Sequence, residues 1–116
     1  CKYVVPEGYG VQPRRDCRLV IDEEQLAASG ASLFYAAVNQ PPGGTLETTS
    51  SRAVAVVGSG ATLAAAEAQC EAGLTGVSGR GLHVRHDIAT PQLLERRVAH
   101  MRGLRSGREA PAVMAA

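Results

Sequence analysis

Residues 48–52, Thr48-Thr49-Ser50-Ser51-Arg52, set four hydroxyl side chains directly before a single arginine, and an apolar run, residues 53–57, follows at once. A guanidinium is planar and permanently charged, and its fork of N–H donors matches a phosphate or carboxylate through two parallel hydrogen bonds. Held at the mouth of a strand, Arg52 with Ser50 and Ser51 would form an anion pocket, completed by backbone N–H groups. The same residues also fit a surface arginine paired with Glu47, and the sequence leaves both readings open. Arg85, a basic residue on the neighbouring extended stretch "GLHVRHDI", is a further candidate for the pocket and equally consistent with a surface role.

Other chemistry fails on spacing. Gly58-Ser59-Gly60 would be a dinucleotide fingerprint only with a third glycine where Leu63 stands, and only inside a parallel βαβ unit. No Gly-Lys pair follows it, and Ser59 lacks the frame of a nucleophile elbow, so the stretch reads as a tight strand-to-helix turn. His83 and His86 lie three apart on an expected strand and point to opposite faces, which argues against a shared metal ion with Asp87 or His100. With no paired carboxylates and no Ser/His/Asp set, no catalytic residue is assigned, and the segment by itself is expected to be inactive.

These residues need a scaffold, and the composition permits a small one. The 116 residues are 45% hydrophobic and 20% charged with a net charge of +1, as in a soluble globular domain. The chain contains no apolar run long enough for a membrane span and no basic-then-apolar leader, so a cytoplasmic protein is expected. Three cysteines without C-x-x-C spacing read as reduced thiols. Residues 77–116 carry seven arginines against three acids. All the aromatic residues lie upstream of this basic stretch, so a solvated helix face fits better than a nucleic-acid platform.

The expected elements are a strand over 2–5 and a second extended piece over 18–21. A helix follows, with Asp22 as N-cap, Gln25 returning a bond, Ile21 against Leu26, and Gly30 as its stop. A strand over 31–38 turns through "NQPPGG" into a return strand over about 45–57. Thr62 caps a helix with the stripe Leu63, Ala66, Cys70, Leu74 and Val77. After a short strand in "GLHVRHDI", 81–88, Thr90 and Pro91 start a last helix whose inner stripe is Leu94, Val98 and Met101. Phe34, Val54, Val56, Leu63, Cys70 and Leu74 are the expected core, with 53, 55 and 57 on the other strand face. This order favours an α+β domain, a small mainly antiparallel sheet or partial barrel with two to three packed helices, spanning 1–104 and followed by a flexible tail over 105–116.

"GYG" at 8–10, "GASLFYAAV" at 30–38, "SSRAVAVVGSGATLAAAEAQCEAGL" at 50–74 and "HVRHDIA" at 83–89, in order and with matching gaps, resemble the C-terminal domain of the phosphoribosylamine–glycine ligase family, ATP-grasp enzymes of purine biosynthesis. The resemblance implies a domain cut from a longer ligase, with ATP, Mg²⁺ and glycine bound by upstream ATP-grasp domains of the same chain. It further implies one wall of the active-site cleft and a small phosphorylated substrate, 5-phosphoribosylamine, whose ribose phosphate lies near the arginine that Arg52 matches. Neither nucleic acid nor membrane is implied, and a homo-oligomer is allowed. The family's usual Gly-Gly-Arg is Ser50-Ser51-Arg52 here, its Gly-Tyr-Pro-Gly is Gly8-Tyr9-Gly10, and its His-Ala-Gly-Thr is Tyr35-Ala36-Ala37-Val38. The alternatives are therefore a paralogous ligase with another substrate, or a non-catalytic α+β module for oligomerisation or regulation.

Overall fold

The computed structural model describes residues 1–107. In chain order the elements are β1 (Lys2–Pro6), β2 (Arg18–Ile21), α1 (Glu23–Ser29), β3 (Ser32–Tyr35), β4 (Val38–Asn39), β5 (Leu46–Thr48), β6 (Val54–Val57), α2 (Leu63–Leu74), β7 (Val77–Ser78), β8 (Leu82–Val84) and α3 (Pro91–Gly107). The strands make two four-stranded sheets, β3-β6-β1-β8 and β4-β5-β2-β7, with antiparallel pairing throughout. This is the expected α+β class, with the sheets left open rather than closed into a barrel. The chain divides into one unit over Cys1–His86 and a second from Asp87 onward.

Local signals set the helix ends. Asp22 Oδ1 accepts the Gln25 N–H at 3.1 Å, and Gly30, at φ 77°, closes α1 in the left-handed conformation. Thr62 caps α2 through the Ala65 N–H, also at 3.1 Å. The reciprocal capping bond expected from Gln25 is not made. Its side chain donates to Thr75 Oγ1 at 2.9 Å, while the Asp22 N–H is taken by the Gly76 carbonyl at 2.7 Å. The end of α2 thus supplies the partners that the capping box would have supplied locally.

The expected two-stranded hairpin is corrected to a double one. Its outward arm splits into β3 and β4 and its return arm into β5 and β6, so that β3 pairs with β6 in the first sheet and β4 with β5 in the second. Both arms bend, at Ala36-Ala37 and over residues 49–53, and pass from one sheet to the other. One long flat ribbon would bury only one layer. Folded at the corner, it serves two.

The core gathers Val4, Leu19, Ala53, Val54, Val56, Cys70 and Leu74. Phe34, expected among them, is 58% exposed. Leu33 pairs with the core residue Val56, and Phe34 pairs with Ala55 on the opposite face. "SLFY" is apolar at three successive positions, so its pattern does not fix which parity points inward, and a one-residue slip exchanges the faces. Leu63, also expected in the core, opens the first turn of α2 and is half-exposed. Val77 leaves the helical stripe because α2 stops at Leu74, and it enters β7 instead.

In the second unit, Thr90 Oγ1 accepts from the Leu93 N–H at 3.4 Å at the start of α3. The stripe Leu94, Val98 and Met101 is exposed rather than facing inward, and among the described residues α3 buries none of its own. The helix continues to Gly107, and the remainder of the tail expected over 105–116 lies outside the described residues.

Candidate functional site

Arg52 stands in the link between β5 and β6, at the corner where the return arm changes sheets. Backbone that leaves a ladder must find other partners. The Ala36 N–H donates to the Ala53 carbonyl at 2.8 Å and the Ala37 N–H to the Arg52 carbonyl at 3.0 Å. On the other side, the Ala53 N–H donates to the Val4 carbonyl at 2.9 Å. Within the link, the Ser51 N–H donates to Thr49 Oγ1 at 3.1 Å, a side-chain turn that competes with extension of the strand. Arg52 therefore leaves a backbone pinned by two neighbouring segments.

The four hydroxyls divide by role. Thr48 is fully buried, and its Oγ1 accepts the Cys17 N–H at 3.0 Å. Thr49 forms the turn, which also takes the Ser51 N–H that an anion pocket would have used. Ser50 and Ser51 are exposed beside Arg52. The guanidinium does not pair with Glu47, whose neighbours across the ladders are Arg18 and Asn39. It lies over the ring of Tyr3, with Cζ 4.7 Å from the centroid. Arg85 follows β8. It stands one residue beyond Val84, the partner of Val4 in the ladder. Arg85 is itself engaged in an interaction within the chain.

Sequence reasoning missed Tyr3, and it missed the residue before it. Lys2 is buried to 1% exposure, and its Nζ donates to Glu67 Oε2 at 2.7 Å, Glu71 Oε2 at 2.9 Å and the His86 carbonyl at 2.7 Å. His86 Nδ1 stands 2.9 Å from Glu71 Oε1. Burial by itself would lower the Lys2 pKa, but the hydrogen bonds and charges of the two glutamates outweigh it and raise the value. Burial would likewise raise Glu71, yet Lys2 and His86 hold its carboxyl below the ordinary range. A signal was present in the sequence: Glu67 and Glu71 are four apart on one helix face, and a lysine in an apolar strand is rarely buried without such partners.

The Gly58-Ser59-Gly60 turn has packing reasons for its glycines. A Cβ on Gly58 would meet the Ala66 carbonyl oxygen and stand 2.6 Å from the Cys70 nitrogen, so the turn lies directly on the α2 backbone. The Ser59 N–H donates to Gln69 Oε1 at 2.8 Å and is not offered to a phosphate. Among the described residues, no group of three or more His, Cys, Asp or Glu is placed to hold a metal ion, and no helix is long and apolar enough to cross a membrane.

Fold and site together define a small α+β domain that offers a fixed cation at a sheet corner. A family model described as "Phosphoribosylglycinamide synthetase, C domain" matches residues 1–91. The chain is 42% identical over 106 residues to the phosphoribosylamine–glycine ligase of Methanothermobacter thermautotrophicus, covering 91% of this chain and 24% of that protein. It is 43% identical to the corresponding ligases of Methanoregula boonei and Methanocaldococcus jannaschii, in each case over 90% of this chain and 23% of the relative. The chain belongs to the phosphoribosylglycinamide synthetase C-domain family, and it spans about a quarter of the length of the curated relatives it matches.

Proposed function

We propose that the chain is the C-terminal, substrate-side domain of an ATP-dependent ligase that joins glycine to 5-phosphoribosylamine, and that Arg52 holds the ribose 5-phosphate with help from Ser50, Ser51 and Arg85. The observation that carries this reading is the state of Arg52. Its guanidinium lies over Tyr3 from a pinned backbone, and the carboxylates engaged in the ion pairs of the described residues are held by Lys2, Arg14 and His86. Holding the phosphate fixes the amine at the other side of the ribose, so that the nucleophile is presented in a bound geometry rather than by diffusion.

For ATP and Mg²⁺, which the family implies, the Gly58-Ser59-Gly60 turn and the Glu67–Glu71 pair offer no open ligands. The Ser59 N–H is taken by Gln69, and Glu67 and Glu71 are held by Lys2. The reading assigns both, together with glycine, to other domains of the parent chain, and assigns the enzyme to the cytoplasm.

In the full-length ligase, Arg52→Ala is expected to raise the KM for the phosphorylated amine by roughly thirty- to a hundredfold, the loss of about 2–3 kcal/mol of charge-assisted hydrogen bonding. The KM for ATP should stay nearly constant. Arg52→Lys should recover little, because the ammonium keeps the charge and loses the fork. An unaltered KM for the phosphorylated amine in Arg52→Ala would overturn the assignment.

A further inference from the structure

We infer that Tyr3 is a positioning residue of the anion site, a platform that orients the Arg52 guanidinium without consuming its donors. The inference rests on the reading of Arg52 as the anion ligand and adds to it the residue that makes that ligand competent. Tyr3 is fixed by its neighbours in β1. Lys2 and Val4, on either side, are each 1% exposed, the first in its ion-pair network and the second in the core. Alternation along the strand then sends the Tyr3 ring to the outer face, where it is 37% exposed. Its partner on β6 is Ala55, a small residue only 5% exposed, which leaves room on that face for the arginine three positions earlier in the chain to lie across the ring.

The geometry matters for what the arginine can still do. A salt bridge would have positioned Arg52 by occupying the same in-plane N–H groups that bind phosphate. A ring at 4.7 Å attracts the cation through its quadrupole, without the carboxylate acceptors that would take up the fork of N–H donors. The ring also keeps water from one face of the cation. The sheet thus pre-orients the fork, and less side-chain freedom remains to be lost when the anion arrives.

The test is steady-state kinetics of the full-length ligase carrying Tyr3→Leu, Tyr3→Phe, Arg52→Ala and the Tyr3→Leu/Arg52→Ala pair, with KM read separately for the phosphorylated amine and for ATP. Tyr3→Leu, which keeps apolar bulk, is expected to raise the first about three- to fivefold and to leave the second unchanged. Tyr3→Phe retains the ring and should restore the parent value. In the double variant, Tyr3→Leu should add nothing to the effect of Arg52→Ala, since the ring acts only through the arginine. If Arg52→Ala raises KM while Tyr3→Leu does not, or if Tyr3→Phe is as impaired as Tyr3→Leu, the role of Tyr3 is overturned and that of Arg52 stands. If Arg52→Ala itself leaves KM unaltered, both fall together.

Discussion

Lys2 shows how one buried charge can hold the strand beneath a proposed site it does not enter. Its ammonium ties the start of β1 to two turns of α2 and to the backbone of His86, and the residue next to it carries the ring under Arg52. Replacing it with methionine keeps most of the apolar stem but removes the ammonium shared by Glu67 and Glu71, and leaves the His86 carbonyl without its donor. Breaking a buried pair by removing one partner costs 3–5 kcal/mol, and since both carboxylates keep some contact with water, Lys2→Met should cost about 3 kcal/mol in urea denaturation. Adding Glu71→Gln should restore part of that loss by removing one of the stranded charges. A Lys2→Met chain as stable as the parent would mean that β1 is held by its apolar contacts alone.

At the level of elements, the turn between β6 and α2 brings strand and helix backbone into direct contact. Gly58 lies on the helix backbone, and Gly73 lies against Ala31 and Val56, where an added Cβ would stand 2.7 and 2.9 Å from their side chains. Gly58→Ala must push α2 away from the sheet, since the obstructing atoms are backbone and cannot rotate aside. A loss of about 2–3 kcal/mol is expected, read as a lowered thermal midpoint. An unchanged midpoint would show that the turn relaxes freely and that its glycines have another purpose. The sequence identified this turn, its cap at Thr62 and the start of α1 at Asp22, because each depends on residues within four positions. The split of the long hairpin was not legible in the same way. The apolar run through residues 53–57 reads as one strand with whatever precedes it, and only pairing with β1 and β3 decides where β6 begins.

For the whole molecule, the ion-pair network links stability to pH in both directions. Glu71 is depressed below its ordinary value of 4.5, so its contribution is fully present above that value and is lost as pH falls through the lower folded value. Lys2 is raised above its ordinary value of 10.5, so its contribution is fully present below that value and is lost as pH rises through the higher folded one. Glu71 and Lys2 therefore give the thermal midpoint an acid limb below 4.5, which Glu71→Gln should flatten, and an alkaline limb above 10.5. An acid limb identical in Glu71→Gln and the parent would assign acid unfolding to other carboxylates.

The α+β class, the capped starts of the three helices, the left-handed stop at Gly30, the family, and the place of Arg52 just ahead of an apolar strand are all legible in the order of residues. All of these rest on spacing, on residue-specific backbone preferences, or on motifs read in order. That Phe34 faces outward and Leu33 inward, that Thr48 is buried as an acceptor, that Lys2 is an interior charge, and that Arg52 meets Tyr3 rather than Glu47 emerge only once the segments are assembled. The physical reason is the same in each case. Strand parity and side-chain partners follow from register between segments distant in the chain, as where β1 lies between β6 and β8, and register is selected by the summed burial and hydrogen bonding of the assembled sheet rather than by any local run of residues.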